Sequence, residues 1–276
     1  LGGALFALEV LLGTITLPLV LPALATTLIA TAVAWIAVPN RPTYHVPVYG
    51  LTAPIVVWAL LVGPLAGLAA VVWVRAIGRL NALRPTSRAG RVAAPIVVFA
   101  ALGAVSIPYP QLLGNGLDIV QSSLLGQLSF GLLAVLLVLK PLATVACLGS
   151  GSPGGLFTPT LAYGVLFGGT LGHVWTLVWP GAGSGSYALI GGAAVLAAAM
   201  QGPLAATALM VELTGHAEAL IVPMLLAIVE ATIVARLLRA QSIYSARLYV
   251  DVAAERDTAE VIGDASPVTF CRQPDT

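Results

Sequence analysis

Charged residues are scarce in this sequence. They make up 8% of its 276 residues, whereas a soluble domain carries about a quarter, so a water-soluble globular protein is excluded. Aromatic residues are also few, at 7%, but hydrophobic residues as a whole reach 59%. The alternating ten-residue pattern of a membrane β-barrel is absent. Instead, apolar stretches of roughly 17–25 residues recur along the chain. These properties predict an all-α polytopic membrane protein in a lipid bilayer.

Cysteine is rarer still, with Cys147 and Cys271 as the two examples. Two such distant residues form neither a disulfide framework nor a metal-binding spacing. The histidines His173 and His216 have no companions at ligand spacing. We therefore expect no metal and no other cofactor.

The few basic residues are clustered. Five arginines crowd one connection and three lie near the last apolar stretch: Arg75, Arg79, Arg84, Arg88 and Arg91, then Arg236, Arg239 and Arg247. By the positive-inside rule both clusters face the cytoplasm, most simply that of a bacterial plasma membrane. Spaced arginines without interleaved aromatic residues do not indicate a nucleic-acid surface.

The apolar stretches vary in length, and several are too short to cross a bilayer. We predict helical segments at 1–12, 15–38, 55–80, 91–106, 117–127, 131–148, 155–179, 187–200, 203–214, 217–239 and 242–250, with a loop at 180–186. Short and broken membrane helices are typical of transporters built from inverted repeats.

A weak internal repeat supports this interpretation. LGGALFALEV, residues 1–10, is similar to LAATALMVEL, residues 204–213, and each has a glutamate eight positions after its first leucine, namely Glu9 and Glu212. The predicted organisation is the end of a first repeat at 1–38, an extracellular loop at 39–54, a second repeat at 55–250 and a cytoplasmic tail at 251–276. The chain begins with Leu1 inside an apolar run that lacks the features of a signal peptide, and we expect sequence upstream of it.

The stretch GSGSPGGLFTPTLAYG, residues 149–164, interrupts the apolar pattern and contains a G-x-G-x-x-G spacing. A dinucleotide site would need a preceding strand and an acidic residue about 20 positions later. Here a helix-length run precedes the glycines, and no acidic residue occurs between Asp118 and Glu212. A nucleotide-binding loop is therefore excluded.

The same glycines place free backbone amides at the start of a predicted helix. Gly154 and Gly155 directly precede the helical stretch, so the amides of Gly155, Leu156 and Phe157 have no partner within that helix. Such groups, together with the helix dipole, bind negative charge. Glycines also allow close packing of membrane helices. From the residues alone, an anion site and a packing turn remain equal alternatives.

Several motifs together resemble the CLC family of chloride channels and proton-coupled chloride transporters. S-G-x-P-G-G-L-F-x-P, which includes Gly154 and Pro159, is similar to the G-G-x-F-x-P signature of that family. VLKPLATVACLGSGSPGG, MQGPLAATALMVELTG, SIYSARL and LGGALFALEV resemble further family segments in the same order. The resemblance extends over nearly the whole chain and implies a CLC-type inverted-repeat fold.

The resemblance also implies roles for individual residues. The amides at Gly155, Leu156 and Phe157 would bind a chloride ion, and the hydroxyl of Tyr244 would point at the same ion. Segments 1–10, 15–38, 203–214 and 217–239 would form the interface of a homodimer with one pore per subunit. Chloride, or a similar monovalent anion, would be the transported substrate, and no covalent chemistry is needed, so an enzyme is not expected.

Two family motifs are missing from this sequence. The serine loop G-S-G-x-P in its proper context and the loop G-K/R-E-G-P with the gating glutamate are expected upstream of Leu1. In proton-coupled members a second glutamate follows the position of Glu9, whereas this chain has Val10, as channel-type members do. A channel and a proton-coupled exchanger therefore both remain possible mechanisms for this chain.

Three acidic residues lie in apolar runs, where they are costly and mark a cavity, a partner or an interface. Glu9, Glu212 and Glu230 are candidate proton-transfer or structural acids, and paired structural or helix-end roles are favoured for Glu9 and Glu212. Arg236 is a candidate partner of Glu230. We expect Lys140 to snorkel or to neutralise the access route of anions.

Two alternatives compete with CLC-type anion transport. One is a different inverted-repeat transporter for a small anion, which would not require Tyr244. The other is an intramembrane hydrolase, which needs a nucleophile, a base and an orienting acid within reach; the sequence offers His173 and scattered serines without a paired spacing.

Overall fold

The computed structural model describes residues 1–81, 84–215 and 217–246, and these residues form helices and no strands. The predicted all-α fold is confirmed. His216, Arg247, Cys271 and the predicted tail at 251–276 lie outside the described residues. The α-helices are α1 (Gly2–Leu5), α2 (Leu17–Ala34), α3 (Ala53–Asn81), α4 (Arg88–Ser106), α5 (Leu117–Leu124), α6 (Phe130–Gly149), α7 (Phe157–Val178), α8 (Ser184–Met200), α9 (Pro203–Thr214) and α10 (Ile221–Leu237).

Short non-α segments continue or precede several of these helices. A π-helix, Phe6–Leu11, extends α1, and 3-10 turns cover Pro110–Leu112 and Glu218–Leu220. A further helical turn covers 243–246. Among the described residues, six helices are long and apolar enough to cross a membrane: Leu17–Ala34, Ala53–Leu80, Arg88–Ser106, Phe130–Gly149, Phe157–Val178 and Glu218–Leu237.

The centre of the molecule is α8, in which every residue from Gly185 to Met200 is buried. Helices α3, α7 and α10 pack around it. The contact with α7 is very close, because α7 presents Gly164, Gly168 and Gly172 at four-residue spacing. A Cβ atom on Gly168 would lie 2.6 Å from the carbonyl oxygen of Tyr187 and 2.8 Å from Cα of Gly191. Small residues thus let the two backbones touch, as in other membrane helix pairs.

Two apolar helices lie at the outside of this core. Helix α2 has no buried residue, and α4 buries only Ser106 among its residues. Both are therefore available to lipid or to another chain.

Several predicted boundaries differ from the structure, and the hydrogen bonds explain two of these differences. Helix α8 begins at Ser184, inside the predicted loop 180–186, and its first turn is stabilised by the hydroxyl of Ser186, which donates to the carbonyl of Gly183 at 2.6 Å. Helix α4 begins at Arg88 rather than at residue 91, because the Ser87 hydroxyl accepts a hydrogen bond from the amide of Gly90 at 3.1 Å and caps the helix.

Candidate functional site

The break at residues 149–156 separates α6 from α7, and its geometry follows from its glycines and serines. Gly151 has a φ of 92°, which side-chain-bearing residues rarely adopt. The hydroxyl of Ser150 donates to the carbonyl of Cys147 at 2.7 Å and lies 3.1 Å from the hydroxyl of Ser152. The chain therefore leaves α6 in a defined turn and enters α7 at Phe157.

The first turn of α7 is anchored to α3. Thr160 donates its hydroxyl to the carbonyl of Leu156 at 2.6 Å and accepts a hydrogen bond from the indole of Trp73 at 2.9 Å. The side chains of Trp73, Thr160 and Leu156 are all buried. This buried chain of hydrogen bonds fixes the direction of the first turn.

The start of α7 carries amides without acceptors. Leu156 is the N-cap residue and no side chain caps the helix. Among the described residues, none accepts a hydrogen bond from the amides of Gly155, Leu156 or Phe157. Pro159 occupies the third helical position, where an amide would lack an intrahelical acceptor in any case. The helix start can therefore donate to an external anion.

An aromatic cluster connects this helix start with Tyr244. The ring of Phe6 packs edge to face against Phe157, with centroids 6.4 Å apart, and against Tyr244, with centroids 5.6 Å apart. Phe6 belongs to the π-helix after α1. The two predicted halves of the anion site, Phe157 and Tyr244, thus both contact one phenyl ring.

Tyr244 lies on the helical turn 243–246 and is partly buried. Burial raises the pKa of its hydroxyl above the ordinary value, because desolvation disfavours the phenolate. The hydroxyl therefore keeps its proton and acts as a neutral hydrogen-bond donor.

The motif also borders a cavity of about 260 Å³. Gly154, Gly155 and Pro159 form one wall, and Asn115 and Lys140 lie among the other lining residues. The glycines of the motif therefore border the cavity, whereas Phe157 contacts the aromatic cluster.

Contrary to the prediction, Lys140 does not extend its side chain to the membrane surface. Its side chain is 3% exposed, and the ammonium donates to the carbonyls of Leu112 and Gly114 at 2.8 Å each. Snorkelling was expected because the segment is apolar, but the turn before α5 supplies two carbonyl acceptors inside the protein. Lys140 thus ties this turn to α6 while adding a positive charge to the cavity wall.

Glu9 and Glu212 cap each other's helices. The carboxylate of Glu9 accepts hydrogen bonds from the amides of Leu204 at 3.2 Å and Ala205 at 2.6 Å, at the start of α9. The carboxylate of Glu212 accepts one from the amide of Gly2 at 2.9 Å and lies 2.7 Å from the nitrogen of Leu1, at the start of α1. These amides occupy equivalent positions of the two similar segments. Each acid therefore has a helix-end position, where it also complements the helix dipole.

Removal of either cap should destabilise the protein. We expect Glu9→Ala or Glu212→Ala to cost about 1–2 kcal/mol, because one helix start loses its acceptor. The double variant should lose less than the sum, since both caps stabilise the same α1–α9 pair. Thermal unfolding of the purified protein in detergent measures the change. Glu218→Ala is the control, because Glu218 is exposed and its carboxylate has no hydrogen bond to a described residue. Equal destabilisation by this control would contradict the capping role.

Glu230 lies apart from the other two acids, where α10 meets α3. A Cβ atom on Gly63 of α3 would collide with its carboxylate, and would lie 2.8 Å from its Cβ and 3.2 Å from Cα of Ala227. Within the described residues, Oε2 of Glu230 is buried without a hydrogen-bond partner, and no ion pair joins Glu230 to Arg236. The proposed pairing with Arg236 is wrong, since nearly two helical turns separate the two side chains along α10.

The structure thus groups part of the predicted residues. Gly154 to Pro159 form one helix start, and the ring of Phe6 connects it with Tyr244. Glu9 lies three residues after Phe6 in the same π-helix. Sequence reasoning missed Phe6, Trp73 and Thr160. The sequence does single out Phe6, because it is the one aromatic residue in 1–34 and aligns with an aliphatic residue, Leu209, in the internal repeat.

Comparison with known proteins agrees with this arrangement. A sequence model of the family described as "Voltage gated chloride channel" matches residues 1–236. The voltage-gated ClC-type chloride channel ClcB of Salmonella typhimurium is 33% identical over 252 residues, which cover 88% of this chain and 59% of that protein. The H(+)/Cl(-) exchange transporter ClcA of Vibrio campbellii is 33% identical over 196 residues, 69% of this chain and 42% of that protein.

Solved structures show the same fold. A slow cyanobacterial Cl-/H+ antiporter superposes with a TM-score of 0.76 at 20% identity, over 93% of this chain and 61% of that chain. A CLC-type fluoride/proton antiporter superposes with a TM-score of 0.72 at 21% identity, over 88% of this chain and 59% of that chain. The chain therefore spans about 60% of the length of ClcB and of the two antiporters, and 42% of the length of ClcA.

Proposed function

The chain belongs to the voltage-gated chloride channel family, and we propose that it binds chloride or a similar monovalent anion at the start of α7 and takes part in passing it across a lipid bilayer. The observation that carries the proposal is the uncapped start of α7, where the amides of Gly155, Leu156 and Phe157 have no acceptor among the described residues. The chain is an integral membrane protein, with six apolar candidate spans in its described residues, so such amides need a ligand or water.

The chemistry of these donors suits a transported ion. Backbone amides and a phenol carry no net charge, so they replace part of the hydration shell without holding the anion as tightly as a lysine or arginine would. The dipole of the 22-residue helix α7 adds positive potential at the same place. The anion can therefore enter and leave again.

Tyr244 completes the site in this proposal. Its hydroxyl stays protonated, and its ring is held by Phe6, which also holds Phe157. An anion between the Phe157 amide and the Tyr244 hydroxyl would receive donors from both sides.

We also propose a homodimer. Helix α2 carries no charged residue and buries none of its residues, which fits a helix that packs against a second copy of the chain. Helices α1, α9 and α10 would lie at the same interface. The proposed placement is a bacterial plasma membrane with both arginine clusters in the cytoplasm.

The test is an anion-flux assay with the complete gene product in liposomes. We expect chloride flux with selectivity over phosphate, and we expect Tyr244→Phe to lower the apparent chloride affinity about tenfold or more, since a hydrogen bond to a charged group contributes about 1.5–3 kcal/mol. Tyr109→Phe is the matched control, because Tyr109 lies before α5 and has no contact with α7 among the described hydrogen bonds and ring contacts. An absence of wild-type flux would refute the function, and unchanged affinity in Tyr244→Phe would refute the site.

A further inference from the structure

A cluster of basic residues lies at the C-terminal end of α3. There, α3 and the chain that follows α10 enclose a cleft with a volume of about 430 Å³. We call it the arginine cleft, because three of its lining residues are arginines. Its walls include Arg75, Gly78, Arg79, Arg239, Gln241 and Ala246.

The positive charge of the arginine cleft is not neutralised by the described part of the protein. No carboxylate forms an ion pair with Arg75, Arg79 or Arg239 within residues 1–81, 84–215 and 217–246. Arg75 donates one N–H to the carbonyl of Leu238 at 3.0 Å, which leaves four of its five donors. Arg79 and Arg239 are exposed and make no hydrogen bond through their guanidinium groups to a described residue.

The backbone at Arg239 is unusual for an arginine. Its φ is 52°, in the left-handed region where glycine is favoured at the end of a helix. The amide of Arg239 donates to the carbonyl of Arg236, and the amide of Ala240 donates to the carbonyl of Ala235, each at 2.9 Å. These two bonds form the Schellman motif that ends α10. An arginine at this position is strained relative to glycine, and such strain points to a function for the side chain.

The depth of the cleft in the membrane follows from the two helices that form it. Helices α3 and α10 run side by side in the same direction, since Gly63 lies against Ala227 and Gly67 against Ala231. Their candidate spans end at Leu80 and Leu237. The arginine cleft therefore lies at the polar surface of the bilayer, where basic pockets between helices contact lipid head groups.

We propose that the arginine cleft binds a phosphate group, in the first place that of an anionic phospholipid such as phosphatidylglycerol. Guanidinium groups bind phosphate oxygens in pairs of parallel hydrogen bonds, and Gln241 adds a neutral donor beside them. A chloride ion is a single atom, so it cannot use the two parallel N–H donors of a guanidinium group as two phosphate oxygens can. The site is distinct from the start of α7, which uses uncharged donors.

Ligand binding in the arginine cleft has a direct route to Tyr244. Ala246 lines the cleft and lies on the same helical turn, 243–246, as Tyr244, and the turn is held by the hydrogen bond from the amide of Ala246 to the carbonyl of Ser242 at 2.8 Å. A phosphate bound to Arg239 and Arg79 would fix this turn against α3. This consequence for transport rests on the proposed function, whereas binding itself does not.

Lipid binding is tested on the complete gene product in nanodiscs that contain phosphatidylcholine with or without phosphatidylglycerol. Native mass spectrometry counts the phosphatidylglycerol molecules retained. Since one arginine near an anionic surface contributes about 1 kcal/mol, we expect about fivefold weaker retention in Arg79→Gln and about 25-fold in Arg79→Gln/Arg239→Gln. Arg91→Gln, on exposed α4, is the control. Equal retention by the double variant and the wild type would overturn the lipid assignment, and the proposal as a whole if inorganic phosphate does not bind either.

A second arm identifies the source of the phosphate. Inorganic phosphate is titrated into the protein in nanodiscs of phosphatidylcholine alone. Saturable binding that the double variant loses, without a difference in phosphatidylglycerol retention, supports a phosphate site filled from solution and overturns the lipid assignment. Loss of phosphatidylglycerol retention in the same variant supports the lipid. These measurements do not use ion flux, so they fail independently of the proposed transport.

Arg239→Gly separates recognition from structure. Glycine relieves the strain at a φ of 52°, so we expect the unfolding temperature to rise while phosphatidylglycerol retention falls about fivefold. A merely structural arginine would give the opposite result or no loss of retention. In liposomes, wild-type chloride flux should increase with phosphatidylglycerol content, and flux in the double variant should not.

Discussion

Replacing Gly168 with leucine should prevent α7 from packing against α8 and should abolish chloride flux. A Cβ atom at this position already lies 2.6 Å from the carbonyl oxygen of Tyr187 and 2.8 Å from Cα of Gly191. Both are backbone atoms of the central helix α8, which is buried from Gly185 to Met200 and cannot move without disturbing α3 and α10. Overpacking by one small group costs about 1–3 kcal/mol, and leucine adds four carbons.

The adjacent glycine provides a matched control for this prediction. A Cβ atom on Gly169 would meet Leu133 at 3.5 Å and Ala188 at 3.6 Å, which is ordinary contact. We therefore expect Gly169→Ala to keep or slightly raise the unfolding temperature, because alanine favours helix by about 1 kcal/mol over glycine. Gly168→Ala should lower it. Size-exclusion profiles and thermal unfolding in detergent measure both variants, and equal stability of the two would show that the α7–α8 contact is not limiting.

Removing one backbone N–H at the start of α7 should weaken chloride binding by about tenfold to 100-fold. The variant carries phenyllactate in place of Phe157, which converts the amide into an ester and keeps the ring that packs on Phe6. A hydrogen bond to a charged group contributes about 1.5–3 kcal/mol, and the amide of Phe157 has no acceptor among the described residues. The concentration dependence of chloride flux gives the affinity.

An ester at Phe167 is the control, since Phe167 lies within α7 and its amide serves the helix rather than the ion. It should lower stability slightly and leave chloride affinity unchanged. Proline at position 157 is less suitable, because Leu156 has a ψ of −13°, a region that a following proline disfavours. If both esters changed affinity equally, the amide of Phe157 would not be a ligand.

The transmembrane helices were predictable because length and hydropathy decide them. The six long spans among the described residues fall within or near the predicted segments, and the break at 149–156 follows from its glycines and from Pro153. The start of α8 was not predictable, since the glycines and serines of GSGSYAL are typical of a loop. The hydrogen bond from the Ser186 hydroxyl to the carbonyl of Gly183 is visible only in the structure. Tertiary burial of α8 overrides the weak helix propensity of those residues.

The site was predictable as a helix start but not as an assembly. Local spacing identifies the free amides around Leu156, because helix geometry alone leaves them without partners. The contact of Phe6 with Phe157 and Tyr244, and the bonds from Lys140 to Leu112 and Gly114, join distant parts of the chain. Such contacts depend on how the helices pack together, and the hydrophobic periodicity of a single segment does not predict that packing.

The reciprocal caps of α1 and α9 also set an order of events on the ribosome. Gly2 and its acceptor Glu212 are separated by 210 positions, and at about 5–20 residues per second of synthesis the interval is roughly 10–40 s. During that time α1 has its first amides unpaired while α2 to α8 are being inserted. A residue synthesised 210 positions later therefore completes the start of α1, so a ribosome that stalls before Glu212 leaves a membrane intermediate in which this helix start is uncapped.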